Sequence, residues 1–128
     1  MDVNLHGHDP LTEQVIGAAI EVHKALGPGL LESAYEQCLG IVLEEVGLKV
    51  ARQVDVPLEF RGRRITPAYR LDILVNDVLI VEVKAVEKLV PVHDAQLLTY
   101  LRLTGKRVGL LLNFNSPRIK DGLRRMVL

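Results

Sequence analysis

The chain has 128 residues, of which 48% are hydrophobic, 25% charged and only 4% aromatic. This length suits one compact domain, and the hydrophobic content excludes an intrinsically disordered chain. The uncharged apolar runs are far shorter than the ~20 residues of a membrane span, and no secretory leader is evident, so we expect a cytoplasmic protein without membrane segments. A single cysteine, Cys38, excludes an intrachain disulfide and a thiolate metal cluster.

The net charge of zero conceals an uneven distribution along the chain. Residues 1–60 contain ten acidic and three basic residues, a charge of −7, whereas residues 61–128 contain six acidic and thirteen basic residues, a charge of +7. Such asymmetry indicates either a basic face for nucleic acid or two halves that attract each other across the fold or across a dimer.

Helical patterns dominate the first part of the chain. Residues 1–9 lack periodicity and are expected to form a flexible N-terminal segment that precedes a single domain over residues 10–128. Apolar residues at helical spacing predict one helix over 11–26, ended by Gly27-Pro28-Gly29, and a second over about 30–46, ended by Gly47. The first helix is apolar almost all round, which indicates that it is covered on two sides.

Strand patterns follow over 53–60, 65–75 and 78–86, with turns near 61–64 and 76–77. A third helix is predicted from Pro91 to the glycine at 105, and a buried strand over 108–114 comes next. The basic tail from residue 116 is expected to form a short helix or turn and then an edge strand over 125–128.

Two charges interrupt the apolar stretch 78–86, whose β-branched content is typical of a core strand. Because strand side chains alternate between faces, Glu82 and Lys84 share a face with Ile80. Buried charges are costly unless they are paired or bound to something, and Asp72 precedes Glu82 by ten residues. This set indicates a metal-dependent phosphodiesterase site; the alternative is a simple ion pair on a half-exposed sheet face.

The connection after the second strand decides whether Asp72 can reach Glu82. A two-residue turn at Asn76-Asp77 would pair Asp72 with Val81 and leave the two carboxylates on opposite faces. A three-residue connection that includes Val78, or a β-bulge, would pair Asp72 with Glu82. We predict the longer connection or a bulge.

The element order α-α-β-β-β-α-β, with Asp72 followed by Glu82-Val83-Lys84, resembles the core of the PD-(D/E)XK nucleases. Within that superfamily, Gly29-Leu30-Leu31-Glu32-Ser33-Ala34-Tyr35 resembles the motif that names the GxxExxY family. The resemblance covers about residues 11–114, although Leu71 stands where the superfamily motif has proline. It implies an α/β (α+β) fold in which helices flank a mixed central sheet of about four to five strands, and it implies a nuclease acting on DNA or RNA.

Each candidate residue has an expected role in such a site. Oxygen ligands suit Mg²⁺ or Mn²⁺, and they would come from Asp72, Glu82, the carbonyl group of Val83 and Glu32. Lys84 would orient the attacking water or stabilise negative charge in the transition state.

Further residues would support the site. Gln96 and Tyr100, one helical turn apart, would hydrogen-bond the Lys84 region or the substrate backbone. Three arginines at the first strand turn would either contact nucleic-acid phosphates or only keep the turn soluble; they are Arg61, Arg63 and Arg64.

Two other functions compete with the nuclease. One is a non-catalytic module that binds nucleic acid or protein and retains the nuclease fold. The other is a homo-oligomeric scaffold with the first helix at its interface. A minimal core leaves little room for a sequence-reading module, so specificity of a nuclease would come from a homodimer, a partner protein or a substrate end or structure.

Overall fold

The computed structural model describes residues 2–3 and 9–128 of the chain, without the side chains of residues 2, 3 and 66–68. Its elements are β1 (Asp2–Val3), α1 (Pro10–Leu26), α2 (Glu32–Glu45), β2 (Val50–Phe60), β3 (Arg63–Val75), β4 (Leu79–Lys84), α3 (Pro91–Thr104), β5 (Val108–Asn113), a 3₁₀ helix (Ile119–Gly122) and β6 (Leu123–Val127). The expected α+β class is therefore confirmed. In this described part, no helix is long and apolar enough to cross a bilayer.

One mixed sheet contains the six strands in the order β1-β6-β5-β4-β3-β2. Only β4 and β5 are parallel, and α3 forms the crossover between them. All other neighbouring strands are antiparallel. The sheet exceeds the four to five strands expected from the sequence because β1 is only two residues long, and a pair of residues carries no alternation signal.

The ends of the chain differ from their expected structure. Asp2–Val3, expected in a flexible N-terminal segment, pairs with β6. Residues 1 and 4–8 of that segment lie outside the described residues, so its flexibility stays a prediction. The last strand is β6, and it lies between β5 and β1 rather than at the sheet edge. The expectation of an edge strand was wrong because β1 covers that edge.

Helices cover both faces of the sheet. On one face, α1 and α2 bury a core that includes Ile73, Val81 and Leu110 from the three central strands. On the opposite face, α3 covers a second core that includes Leu74 and Leu111. Side chains along β3 and β4 thus alternate between two buried layers, which explains the continuous apolar runs in the sequence.

The β3–β4 hairpin has the longer connection that the site requires. Val75 pairs with Leu79, so the connection consists of Asn76, Asp77 and Val78. Asn76 and Asp77 have φ angles of 50° and 59°, and these residue types tolerate the left-handed region better than most. The same register places Asp72 opposite Glu82, and the predicted three-residue connection is confirmed.

Candidate active site

Asp72 and Glu82 lie side by side where β3 and β4 stop pairing regularly. The last regular pair towards this end is Ile73 with Val81. Beyond it, the Asp72 N–H donates to Glu82 Oε2 at 2.8 Å, and the Val83 N–H donates to Asp72 Oδ2 at 2.8 Å. The carboxylates therefore take the place of ladder hydrogen bonds, and each keeps its second oxygen for a further ligand.

Burial dominates the electrostatics of these two carboxyl groups. Desolvation raises the pKa of Glu82 to about 8, and the adjacent Asp72 raises it as well. Desolvation also raises the pKa of Asp72 to about 6, with a further contribution from the negative charge of Glu36. Lys84 opposes both shifts without cancelling them. Glu82 is buried and Asp72 is half-buried, and two such carboxyl groups that are costly to ionise form a place where a bound cation is favourable.

Lys84 ends a short chain of hydrogen bonds that begins on α3. Its Nζ donates to Gln96 Oε1 at 3.0 Å, and Gln96 Nε2 donates to the Tyr100 hydroxyl at 3.2 Å. Burial and the negative charges of Glu82 and Asp72 raise the pKa of Tyr100, so its hydroxyl stays protonated. The expected hydrogen bond between α3 and Lys84 is therefore made by Gln96, and it orients an ammonium group whose charge lowers the pKa of both carboxyl groups.

The glycine-glutamate-tyrosine motif shapes the loop that leads into α2. Gly29 has a φ angle of 107°, which side chains rarely adopt. The Tyr35 hydroxyl donates to the Gly27 carbonyl at 2.5 Å and accepts from the Leu30 N–H at 3.1 Å, while its ring stacks on Phe114. Tyr35 is thus a core residue that closes the loop, and the helix begins at Glu32 because the preceding residues are extended or left-handed.

Glu32 reaches the end of β4 from the first turn of α2. Its Oε2 accepts a hydrogen bond from the Ala85 N–H at 3.1 Å, directly after Lys84. The side chain lies at the surface, beside a shallow depression of about 440 Å³ lined by Leu30, Leu31, Glu32, Ser33 and Ala85. Glu32 is therefore close to the site, and solvent can reach it.

Glu36 is a buried acid near the site that the sequence did not single out. It is 5% exposed, and its charge raises the pKa of both Asp72 and Glu82. Arg52 donates two hydrogen bonds to Glu36 Oε2, at 3.0 and 2.6 Å, and Gln53 donates to Oε1 at 2.7 Å. Its spacing of four residues from Glu32, which puts both acids on one helix face, is the signal that would have indicated it.

The two partners of Glu36 are consecutive residues of β2, which would point to opposite faces of a regular strand. Gln53 has a φ angle of 52°, and it lies across from Asp72, between the pairs Arg52–Ile73 and Val54–Leu71. This local distortion turns both side chains towards α2. The irregular stretch of β2 thus lies directly across from the irregular stretch of β3.

Asn113 anchors the loop that follows Lys84. Its Oδ1 accepts from the Val86 N–H at 3.0 Å, and its Nδ2 donates to the Val86 carbonyl at 2.9 Å. The Phe114 N–H donates to the Lys84 carbonyl at 2.9 Å. Buried Asn113 therefore holds the β4 end in place from β5, a role that a single asparagine in an apolar run does not reveal.

The donor set fits a hard divalent cation with limited protein ligation. Within residues 2–3 and 9–128, no three His, Cys, Asp or Glu side chains are gathered closely enough to enclose a metal ion. Mg²⁺ typically takes one or two carboxylates and completes its coordination with waters and substrate phosphate. Asp72 and Glu82 would supply that number, and metal ligation by these two residues, by Glu32 and by the Val83 carbonyl stays a prediction.

Arg61, Arg63 and Arg64 lie at the tip of the β2–β3 hairpin rather than beside the carboxylates. Phe60 pairs with Arg63, so the turn consists of Arg61 and Gly62. Arg64 pairs with Glu59, which is six residues along β2 from Gln53, the residue across from Asp72, so the separation is roughly 20 Å at strand spacing. The structure therefore separates these arginines from the candidate catalytic groups.

Comparison with known proteins places the chain in a family. A family model described as the PD-(D/E)XK nuclease superfamily matches residues 9–126, a range that contains every candidate residue described above. No curated protein and no solved structure matched the chain. The chain belongs to the PD-(D/E)XK nuclease superfamily.

Proposed function

We propose that the protein is a metal-dependent nuclease that hydrolyses phosphodiester bonds in DNA or RNA, and that it is a GxxExxY-type member of its superfamily. The observation that carries this proposal is the pair Asp72 and Glu82, hydrogen-bonded into the splayed end of β3 and β4 beside Lys84. A fold has no structural need for a buried acid, a half-buried acid and a lysine at one strand end. Binding of a cation by Asp72 and Glu82 and of a phosphate by Lys84 would account for these three residues.

Mg²⁺ or Mn²⁺ would be held by Asp72, Glu82 and the Val83 carbonyl, with Glu32 as the ligand from α2. When bound there, the ion would polarise the phosphate and lower the pKa of its water. Asp72 and Glu82 each have one oxygen outside the hydrogen bonds to Val83 and Asp72 N–H groups, so they can bind the ion without breaking the strand contact.

Lys84 would act on the reacting groups directly. Its ammonium group can orient a water molecule or stabilise charge on the phosphate in the transition state. Gln96 accepts one of the three N–H bonds that an ammonium group can donate, which leaves others for water and phosphate. Tyr100 fixes the amide of Gln96, so both α3 residues position Lys84.

The surroundings of the site support a polymeric substrate. A second shallow depression, of about 370 Å³, lies beside Gln96 and is lined by α3 residues from Val92 to Thr99. Together with the depression beside Glu32, it leaves the site approachable from both helices. Arg61, Arg63 and Arg64 would contact the nucleic-acid backbone further away. A homodimer or partner protein that adds specificity, and a cytoplasmic location, remain predictions.

Cleavage by purified protein tests the proposal. Linear, circular and single-stranded DNA, and RNA, would be incubated with Mg²⁺ or Mn²⁺ and with native protein, Lys84→Ala or Lys88→Ala. We expect Lys84→Ala to cut at least ~100-fold more slowly, because it removes a charge that acts in the transition state. Lys88, which is exposed in the loop after β4, is the matched control and should cut like the native protein.

Three results would count against the nuclease. Equal cutting by native protein and Lys84→Ala would identify a contaminant. Equal loss in Lys84→Ala and Lys88→Ala would show a general effect of charge rather than a role for Lys84. No cutting of any substrate by the native protein, combined with retained nucleic-acid binding, would favour the non-catalytic binding module.

A further inference from the structure

The β2–β3 hairpin extends well beyond the rest of the sheet. β3 pairs regularly with β4 only from Ile73 to Val75, whereas its pairing with β2 continues to Arg63, opposite Phe60. Residues 54–71 therefore form a two-stranded ribbon that has no third strand beside it, and we call this ribbon the arm. An isolated hairpin is marginally stable, so a protruding one calls for an explanation.

The arm leaves the sheet at the end that carries the candidate active site. β3 is antiparallel to β4, so the residues that precede Asp72 run onward past the level of Glu82 and Lys84. At the base of the arm, Tyr69 contacts Tyr100 with ring centroids 6.4 Å apart. The arm is thereby attached to the same α3 residue that orients Gln96.

The outer part of the arm is basic and exposed. Residues 59–64 comprise one acid and three arginines, all exposed, a net charge of +2. Within the described residues, none of the three arginines forms a salt bridge, although Glu59 lies across from Arg64. Arg61 lies over the Phe60 ring at 5.5 Å, and Leu58 pairs with Ile65 across the strands. Cross-strand contacts stiffen the arm and leave its guanidinium groups for an anionic partner.

The outer edge of the arm is poorly suited to pairing with another protein strand. β2 is the edge strand of the sheet, and an exposed edge can template strand addition. Pro57 lacks an N–H group there, and the left-handed backbone of Gln53 interrupts the strand. Strand addition by a second copy or by a peptide is therefore disfavoured, and the charge points to a polyanion.

We propose that the arm docks in a groove of double-stranded DNA. The duplex would then extend from the candidate active site past the ends of Glu82 and Lys84, in the direction in which the arm projects. A two-stranded β-ribbon fits the major groove, which is about 12 Å wide, and arginines at its tip can reach phosphates on both sides. This inference rests on the proposed nuclease function only in placing the cut strand at Asp72 and Glu82. A register shift between Val56 and Leu58 puts extra residues into β3, so the distance from Asp72 to Arg64 is counted along β2 and is roughly 20 Å, or about 6 base pairs at ~3.4 Å each.

Equilibrium binding without cleavage tests the arm. In a Lys84→Ala background, the triple variant Arg61→Gln/Arg63→Gln/Arg64→Gln would be compared with a charge-matched control, Arg102→Gln/Arg107→Gln/Lys120→Gln. The control residues are also exposed but lie on α3, before β5 and in the 3₁₀ helix. Fluorescence anisotropy would be recorded with a loop-closed duplex of roughly 5 base pairs, a duplex of roughly 24 base pairs and single strands, from about 50 to about 200 mM salt.

The arm variant should weaken binding of the longer duplex and flatten its dependence on salt. Three lost phosphate contacts lower the slope of log K against log salt by about 2.7, so its affinity ratio to the parent should change about 40-fold over this salt range. The control variant should change the slope by much less. Binding of the shorter duplex and of single strands should be nearly the same for the arm variant and its parent.

Other outcomes would overturn the proposal. An unchanged salt slope in the arm variant, or equal slopes for the arm and control variants, would contradict a role of the arm in binding phosphates. Equal weakening on short and long duplexes, or no duplex binding by the parent at the lowest salt, would contradict docking along a duplex. A further contrary outcome is a changed oligomeric mass of the arm variant. The last would identify a protein interface instead. Because the assay needs no cleavage, it separates the two proposals. Arm-dependent binding by a protein that never cuts DNA would refute only the proposed nuclease function. Cutting without arm-dependent binding would refute only the proposed role of the arm.

Discussion

At the scale of single residues, two carboxyl groups couple the stability of the fold to pH. Burial raises the pKa of Glu82 to about 8 and that of Asp72 to about 6. In an unfolded chain these groups ionise near 4.5 and 3.8, so between the two sets of values the folded protein holds more protons than the unfolded one. Stability must therefore fall as the pH rises through this window.

The first prediction at this scale concerns Glu82. The melting temperature of metal-free native protein should decrease from about pH 5.5 to about pH 8.5, with a contribution of at most ~1.4 kcal/mol per pH unit for one proton. Glu82→Gln should flatten the curve and be more stable than the native protein at the high end. Parallel curves for the two proteins would contradict the buried, costly carboxylate.

The same melting series, repeated with excess Mg²⁺, provides an internal check. Because the ion competes with protons for Asp72 and Glu82, it should raise the melting temperature of the native protein more at about pH 8.5 than at about pH 5.5. Glu82→Gln should lose most of this effect. An Mg²⁺ shift that is equal in both proteins would place the ion elsewhere.

A second prediction at the residue scale concerns the Glu36–Arg52 pair, whose closest N–O distance is 2.6 Å. Arg52→Ala would leave a buried acid without its cation and should destabilise the fold by about 2–4 kcal/mol, the lower end reflecting the partial exposure of Arg52. Arg70→Ala, which breaks the exposed pair with Asp55, is the control and should cost less than about 1 kcal/mol.

Urea denaturation of the single and double variants measures the coupling within the pair. Adding Glu36→Gln to Arg52→Ala should recover part of the lost stability, because it removes the buried charge. Strict additivity of the two changes would show that Glu36 and Arg52 do not depend on each other.

At the scale of elements, the position of α3 determines where Gln96 and Tyr100 meet Lys84. Gly109 on β5 allows the close approach of this helix, since a Cβ atom there would lie 2.7 Å from Leu97 Cδ1. Leu97 follows Gln96 directly and is fully buried. Any displacement of α3 would therefore act on the hydrogen bond between Gln96 and Lys84.

We predict that Gly109→Ala destabilises the protein by about 1–3 kcal/mol through overpacking, and that it also lowers nuclease activity. Gly17→Ala is the matched control: nothing lies within 4 Å of a Cβ atom at this position in α1, so alanine should stabilise by about 0.5–1 kcal/mol. Thermal unfolding and cleavage rates would be measured on both variants. Equal effects of the two substitutions would refute the close contact between α3 and β5.

At the scale of the whole molecule, ion pairs among the described residues do little to neutralise the uneven charge of the two halves. Of the five salt bridges among the described residues, only Asp55–Arg70 joins residues 1–60 to residues 61–128, and both of its side chains are mostly exposed. Such a pair contributes little to stability. Basic residues of the second half thus remain available to a polyanion, which agrees with the proposed role of the arm.

The expected cover on two sides of α1 is partly provided by the chain itself. α1 packs against α2, and Ile16 and Ile20 are half-buried against the first core. Leu26 and Ile41 stay exposed on neighbouring turns of the two helices. Nothing in the fold requires a second copy on this face, and the homo-oligomeric scaffold stays a prediction.

The helices, most strands and the pairing of Asp72 with Glu82 could be predicted from the sequence alone. Periodicity and turn residues are local signals, because a helix or strand must bury one side of its own segment. Boundaries moved by a few residues where caps and turns, rather than hydrophobicity, decide the end of an element. The β3–β4 connection was also within reach, since the alternation of faces allowed only one register for a site.

Contacts between residues that are distant in the sequence depend on how the elements pack against each other. The burial of Glu36 and its pairing with Arg52 and Gln53 depend on the packing of α2 over a distorted β2. Asn113 became an anchor because β5 lies parallel to β4. The β2–β3 ribbon projects from the sheet because its pairing continues beyond the point where the β3–β4 pairing ends. These features arise from contacts between elements, and a periodic pattern reports which face of a segment is buried without reporting what covers it.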